Sequence, residues 1–119
     1  MARLPDPEIL ARYQQALIDW EIEGAVDLRG RAPEGLRSTL EGVTVRDFKE
    51  ALYRFVCIDG GEIDQIKEER DPWCKQWEYH YDVRPTISGV KLYVETRLYP
   101  ESFSSKREPT VLIFQIKPA

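Results

Sequence analysis

Residues 90–98 read Val90-Lys91-Leu92-Tyr93-Val94-Glu95-Thr96-Arg97-Leu98, and their side chains alternate between apolar and polar. A repeat of two residues is typical of a β-strand with one face on a core and the other in water. The apolar face holds Val90, Leu92, Val94 and Leu98, and the polar face holds Lys91, Tyr93, Glu95 and Arg97. We expect this stretch to be the central strand of a sheet, because an alternating segment lies on each side of it.

The two flanking segments are residues 79–84 and residues 110–117. In the first, Tyr79, Tyr81 and Val83 share one face, and His80, Asp82 and Arg84 share the other. In the second, Leu112, Phe114 and Ile116 share the predicted core face, opposite Val111, Ile113, Gln115 and Lys117. Residues 85–89 supply a turn, and residues 100–109 are predicted to be a polar loop. The pattern predicts an antiparallel sheet of about three strands at the C-terminal end.

The first two thirds of the chain has the periodicity of amphipathic helices. Apolar residues recur at three- and four-residue steps in two stripes: Ile9, Leu10, Tyr13, Leu17 and Trp20, then Val45, Phe48, Leu52 and Phe55. Thr44 is a suitable N-cap for the second helix, and Asp47 can complete a capping box. Residues 25–42 are predicted to be loop with a short helical turn near residues 36–40. Residues 62–70 are predicted to form a short, charged helix.

Together these segments predict one α+β domain over residues 1–119, with N-terminal helices packed on one face of the C-terminal sheet. The composition, 42% hydrophobic and 32% charged, is ordinary for a globular domain. No apolar run approaches the roughly 20 residues of a membrane span, and residues 1–6 lack the apolar core of a signal peptide. We therefore expect a cytoplasmic protein with no membrane partner.

Charge is distributed unevenly along the chain, whose formal net charge is −4. Residues 1–71 contain 10 Lys and Arg against 16 Asp and Glu, whereas residues 72–119 contain 7 against 5. The acidic balance argues against indiscriminate nucleic-acid binding. Only the C-terminal third offers an anion a mildly favourable surface.

Cysteine usage favours reduced thiols over a disulfide framework or a metal site. The chain has two cysteines, Cys57 and Cys74, and with His80 they form a Cys-x16-Cys-x5-His pattern. Three ligands at this spacing match no standard zinc motif. We expect two buried, unbridged thiols, with no metal and no other cofactor.

The polar sheet face carries a group of residues with potential for chemistry on phosphates: His80, Arg84, Lys91, Tyr93, Arg97, Gln115 and Lys117. Histidine exchanges protons near neutral pH, and lysine and arginine stabilise charge that develops on phosphate oxygens. Metal-free RNA cleavage requires a base for the 2′-hydroxyl, cations at the scissile phosphate and an acid for the leaving oxygen. A sheet face in water is normally polar, however, so the same residues also fit a surface without catalytic function.

The order of these elements resembles the MqsR toxins. The matching stretches are Gly42–Lys49, an aromatic-rich strand that ends in Arg84-Pro85, the run Leu92-Tyr93-Val94, and Val111–Lys117. MqsR toxins are mRNA interferases of type II toxin–antitoxin systems and have a RelE-like α+β fold. The resemblance therefore implies an endoribonuclease that acts on RNA without a metal and has an antitoxin protein as partner.

By position, the resemblance implies roles for individual residues. Tyr93 falls on the family's active-site tyrosine, Lys117 on its C-terminal catalytic lysine, and His80 on a glutamine of the family's site. The expected catalytic residues are thus His80, Tyr93 and Lys117. The expected substrate-binding residues are Arg84, Arg97, Gln115 and Lys49, the last one position before the family's helical lysine.

This chain also departs from the family. It is acidic, residues 57–76 look like an insertion, and the loop at residues 100–109 is longer than the family's tight turn. An alternative function is therefore a non-catalytic interaction domain. Such a domain would bind a protein partner through its polar sheet face or through the charged helix predicted at residues 62–71.

Overall fold

The computed structural model describes residues 4–101 and 108–119, and this part of the chain contains three α-helices and six strands. The helices are α1 (Pro7–Ile18), α2 (Ala32–Thr39) and α3 (Val45–Tyr53), which continues into a π-helical turn at Arg54–Ile58. The strands are β1 (Val26–Leu28), β2 (Ile63–Lys67), β3 (Tyr79–Val83), β4 (Thr86–Ile87), β5 (Val90–Tyr99) and β6 (Thr110–Pro118). The α+β class agrees with the sequence. Most of the loop predicted at residues 100–109 lies outside the described residues.

The strands form one mixed sheet in the order β1-β6-β5-β3-β2, and β4 pairs with β5 beside this path. As predicted, β5 lies between β3 and β6 and is antiparallel to both. The prediction of about three strands was wrong. Strand β1 pairs parallel with β6 and has only three residues, too few for an alternation of apolar and polar side chains to be visible in the sequence.

The prediction of a charged helix at residues 62–70 was also wrong. Residues Ile63–Lys67 form the edge strand β2, which pairs antiparallel with β3 along its whole length. Ile63 and Gln65 are buried on one side of it, so the strand has the period of two that a half-buried strand requires. Pairing with β3 outweighs the helix propensity of Gln65 and Lys67, because propensity is a weak local preference.

The helices cover one face of the sheet and bury a single apolar cluster against it. Phe48 and Leu52 of α3 and Leu92 and Val94 of β5 are 0% exposed, as predicted. The predicted capping box of α3 is confirmed, since Thr44 and Asp47 exchange side-chain and backbone hydrogen bonds.

Helix α2 lies directly on β6, in a segment that the sequence predicted to be mostly loop. Gly35 allows this close approach, because a Cβ atom there would overlap the carbonyl oxygen of Ile116. Ala32 and Leu36, on the same helix, are buried in the cluster. Pro33 and Gly35, which suggested a loop, both lie within this helix, Pro33 in its first turn and Gly35 at its contact with β6.

A β-bulge in β6 reverses the predicted faces of half this strand. Glu95 pairs with Gln115 but Thr96 pairs with Ile113, so Phe114 is an extra residue. Val111 and Ile113 therefore face the helices, and Leu112 and Phe114 lie on the other side of the sheet. Phe114, predicted to be buried, is only partly buried and packs against Trp73 and Trp77.

The residues between β2 and β3, numbers 68–78, fold over this second face, and we call them the cover segment. A backbone hydrogen bond of 2.9 Å from Glu68 to Glu78 closes its base. Its 3-10 turn, Trp73–Lys75, places the Trp73 ring 5.6 Å from the Phe114 ring. The second face is therefore partly covered and not fully open to water, contrary to the sequence prediction.

The cysteines differ from each other in exposure. Cys57 is half-buried and Cys74 is exposed, and neither forms a disulfide, so the prediction of two buried thiols was wrong for Cys74. Burial raises the pKa of the Cys57 thiol, whose Sγ lies 3.7 Å from the carbonyl oxygen of Gln14. No helix within the described residues is long and apolar enough to cross a membrane.

The packing predicts a large stability difference between neighbouring residues of β5. Leu92→Ala should lower the free energy of unfolding by about 2–5 kcal/mol, the usual loss for a leucine in a packed core. Lys91→Ala, at an exposed position, should change it by less than about 0.5 kcal/mol. Chemical denaturation measures both, and a loss below about 1 kcal/mol for Leu92→Ala would contradict the assigned faces.

The thiols should react with a thiol-specific reagent at two distinct rates. Cys74 should react quickly in the native protein, and Cys57 should react more slowly because burial and its raised pKa lower the thiolate fraction. The protein in denaturant and without reductant should show both thiols. Titration of fewer than two thiols after denaturation would indicate a bridge and overturn this prediction.

Candidate active site

The centre of the second face is a pair of opposed carboxylates. Asp82 of β3 lies directly opposite Glu95 of β5 in the sheet register, and both are buried. Like charges directly opposite each other in a sheet are destabilising unless neighbours compensate. His80 contacts Asp82, Tyr93 donates to Glu95, and Arg97 and Arg70 place two cations beside Glu95.

His80 is oriented by Asp82. Its Nδ1 lies 2.9 Å from Asp82 Oδ1, and an ionised carboxylate only accepts, so the proton of this hydrogen bond belongs to Nδ1. Nε2 has no hydrogen-bond partner among residues 4–101 and 108–119. The His80 side chain is 9% exposed. This arrangement leaves Nε2 as the nitrogen that can accept a proton from a substrate.

Tyr93 lies between the buried carboxylates and two cations, Lys117 and Arg84. Its hydroxyl donates to Glu95 Oε1 at 3.3 Å. Burial raises the pKa of Tyr93, and the charges of Asp82 and Glu95 raise it further, so the phenol stays protonated at neutral pH. Lys117 Nζ lies 5.0 Å from the centroid of the ring, and the Arg84 guanidinium carbon lies 5.6 Å from it.

The three residues predicted to be catalytic share one face of the sheet, and Tyr93, on the central strand, lies between the strands of the other two. Asp82 links His80 to Tyr93, and Lys117 is the cross-strand partner of Tyr93 in β6. Arg84, predicted to bind substrate, joins them with a side chain that is 46% exposed and lies 3.8 Å from Asp64. Tyr93 is therefore adjacent to two exposed cations.

A second network lies beside this group and fixes Glu95. Arg97 donates to Glu95 at 2.9 Å and to Glu68 at 2.6 Å, and Arg70 contacts the same two glutamates at 3.1 and 3.0 Å. Burial raises the pKa of Glu68, but the hydrogen bonds and charges of Arg70 and Arg97 outweigh it and hold the pKa at about 2. The network binds the cover segment to the sheet.

Two residues predicted to bind substrate do not fit that role. Arg97 is 1% exposed and already paired with two carboxylates, so it is not available to a phosphate. Lys49 lies in α3, which packs with Phe48 on the helical side, so the sheet separates it from His80. Gln115 does lie on the site face, opposite Glu95.

Within the described ranges, one group of side chains of the kinds that bind metal ions lies close together. The ligand atoms of His80, Asp82 and Glu95 all lie within 4.8 Å of one another, and neither cysteine belongs to this group. Both oxygens of Glu95 accept hydrogen bonds, from Tyr93 and from the guanidinium groups of Arg70 and Arg97. Two cations beside Glu95 oppose the binding of a third, so the arrangement is that of an internal hydrogen-bond network.

Sequence reasoning missed two members of the site, Glu68 and Arg70. Both lie in or beside the segment that was predicted to be helical. Glu68 pairs with Arg97, 29 residues further along the chain, and Arg70 pairs with Glu95, 25 residues further along. Glu95 and Asp82 could have been found, because the alternation already placed them on the face of His80 and Tyr93.

Comparison with protein-family models, with curated proteins and with solved structures found no match to this chain. The resemblance to the MqsR toxins therefore stays a prediction that rests on the residues quoted above.

The depressed pKa of Glu68 predicts how stability depends on pH. The stabilisation from its ion pairs is fully present above the unfolded pKa of about 4.3 and is lost as the pH falls towards about 2. Glu68→Gln should cost about 3 kcal/mol at pH 7, the low end for breaking a buried ion pair, because Glu95 still pairs with Arg97.

Denaturation curves at pH 7, 5, 4 and 3 measure this effect. The gap between wild type and Glu68→Gln should narrow steadily below pH 5. Glu41→Gln, at an exposed position, should follow the wild-type curve throughout. A gap of constant size down to pH 3 would show that the Glu68 carboxylate is not the source of the stabilisation.

Proposed function

We propose that this protein is a metal-independent endoribonuclease of the mRNA interferase type, with a RelE/MqsR-like fold, that acts on RNA in the cytoplasm and is controlled by a small antitoxin protein. The observation that carries the proposal is that one sheet face holds the His80–Asp82 pair and Tyr93, with the exposed cations Lys117 and Arg84 against the Tyr93 ring. A proton acceptor and phosphate-binding groups next to each other are the requirement for cleavage without a metal.

In this proposal His80 starts the reaction. Nε2 takes the proton of the ribose 2′-hydroxyl, and the 2′-oxygen attacks the adjacent phosphorus. Asp82 holds the ring in the required tautomer through Nδ1 and stabilises the imidazolium ion that forms, as a carboxylate does in other histidine-dependent sites.

The cations then act on the phosphate. Lys117 and Arg84 stabilise the charge on the pentacovalent phosphorus, and the Tyr93 hydroxyl orients the scissile group. The bond from phosphorus to the 5′-oxygen breaks, and that oxygen takes a proton from the solvent that reaches the exposed end of the site. The products are a 2′,3′-cyclic phosphate and a 5′-hydroxyl. Gln115 remains as a substrate-binding residue, whereas Arg97 positions Glu95.

The competing proposal is a non-catalytic interaction domain that binds a protein partner through the polar sheet face. The observation that favours it is that Arg97, Arg70, Glu68 and Glu95 pair with one another, as the charges of a purely structural network do. The charged helix that was the other predicted surface does not exist, because Ile63–Lys67 is a strand.

RNA cleavage by the purified protein distinguishes the two. Wild-type protein should cleave single-stranded RNA in the presence of EDTA and leave cyclic phosphate ends. His80→Ala and Lys117→Ala should each reduce the rate by about 100-fold or more, because each removes a group that acts in the transition state. Arg37→Ala, which removes an exposed cation of α2, should cleave at the wild-type rate.

Expression of the same variants gives a second readout. Wild-type protein should slow growth, and His80→Ala should relieve this effect. Cleavage that survives both His80→Ala and Lys117→Ala would remove these residues from the mechanism. A wild-type protein that neither cleaves RNA nor slows growth, yet captures one specific protein, would support the interaction domain.

A further inference from the structure

A cavity of about 260 Å³ lies on the second face, beside the candidate active site. Its floor is formed at Glu95 and Gln115, next to the bulge at Phe114. The turn at Gly30 and Arg31 closes one side, because Arg31 donates its backbone N–H to the Phe114 carbonyl oxygen at 3.2 Å. The bulged residue Phe114 is therefore part of the cavity wall.

The cover segment supplies an aromatic rim to this cavity. Trp73 is 38% exposed although its ring is fixed from two sides. The Phe114 ring contacts it at 5.6 Å between centroids, and the Arg97 guanidinium carbon lies 5.2 Å from its centroid. A tryptophan that is held in place yet partly exposed at a cavity offers a ready surface for a planar ligand.

Polar groups in the cavity are available for recognition. The side chains of Arg31 and Gln115 make no hydrogen bond or ion pair within residues 4–101 and 108–119. The Nε of Arg97, in a side chain that also lines the cavity, is buried and has no partner in the same ranges. An unsatisfied buried donor is uncommon and calls for an explanation, and an acceptor atom of a ligand would supply one.

Charge and size restrict the class of ligand. Of the three arginines that line the cavity, Arg70 and Arg97 are paired with glutamates, and Arg31 has no carboxylate partner within residues 4–101 and 108–119. Its guanidinium group favours a ligand with negative charge or hydrogen-bond acceptors. The volume is just below the usual range of about 300–1,000 Å³ for pockets that hold drug-sized molecules. The cavity therefore suits one base of a nucleotide chain whose phosphates remain outside. Trp73 offers an aromatic surface, Gln115 an amide and Arg31 a guanidinium group, and the volume is small.

We infer that this cavity binds a nucleobase of the RNA substrate next to the scissile phosphate. This inference rests on the proposed endoribonuclease function and adds a determinant of sequence preference to it. Glu95 connects the two sites, because it lines the cavity and accepts the hydrogen bond of Tyr93. Trp73 stacks on the base, and Arg31 and Gln115 bind its edge.

Cleavage kinetics test this inference. The substrates are RNA oligonucleotides that differ from one another in a single base on one or the other side of the cleaved bond. Trp73→Ala and Arg31→Ala should each lower kcat/KM at least 10-fold for the preferred oligonucleotide, mainly through KM, and should reduce the preference among bases. Trp73→Phe, which keeps an aromatic ring, should recover most of the loss. Lys75→Ala is the matched control, since it removes an exposed cation of the same turn that does not line the cavity.

Binding without cleavage separates this inference from the proposed function. His80→Ala protein and a 2′-deoxy-substituted oligonucleotide should form a complex, measured by fluorescence anisotropy, that Trp73→Ala weakens at least 10-fold. Cleavage by wild type with base preference unchanged in Trp73→Ala and Arg31→Ala would overturn the base pocket and leave the ribonuclease intact. Trp73-dependent binding without any wild-type cleavage would keep the pocket and refute the ribonuclease.

Competition with small ligands identifies what the cavity recognises. Nucleoside monophosphates should displace the oligonucleotide from His80→Ala protein at concentrations at which inorganic phosphate does not. Equal competition by inorganic phosphate would show a site for anions and overturn the assignment to a base.

Discussion

Arg97 and its two glutamate partners hold the second face of the sheet together. The guanidinium group is 1% exposed and bridges Glu95 of the central strand to Glu68, where the cover segment begins. A buried charge without partners costs several kcal/mol, so these three residues constrain one another strongly. The bridge keeps the cover segment on the sheet and holds Glu95 ionised opposite Asp82. The form of the candidate site depends on it.

This constraint determines which groups remain available for chemistry. Arg70 and Arg97 neutralise the charge near Glu95, so Asp82 is left to orient His80. Tyr93 then separates the buried acidic groups from exposed Lys117 and Arg84. The proposed reaction requires this separation, because a phosphate must approach cations without meeting uncompensated carboxylates.

The bulge at Phe114 links the fold to the proposed base pocket. It lets Val111 and Ile113 complete the core below the helices while Leu112 and Phe114 lie on the second face. Phe114 then supports Trp73, and the cavity opens beside them. Bulges are frequent next to functional sites because they redirect side chains without interrupting the sheet.

The sequence by itself determined the α+β class, the central strand, the capped α3 helix and the shared face of His80, Tyr93 and Lys117. These features depend on local periodicity and capping, which neighbouring residues specify. Only the tertiary structure decided that residues 63–67 are a strand, that Phe114 is bulged and that Arg97 is buried. Each of these depends on a distant partner: β3 for the strand, the register of β5 for the bulge, and Glu68 for the arginine. Local pattern carries no information about such contacts, because their energies arise only when segments far apart in the chain pack together.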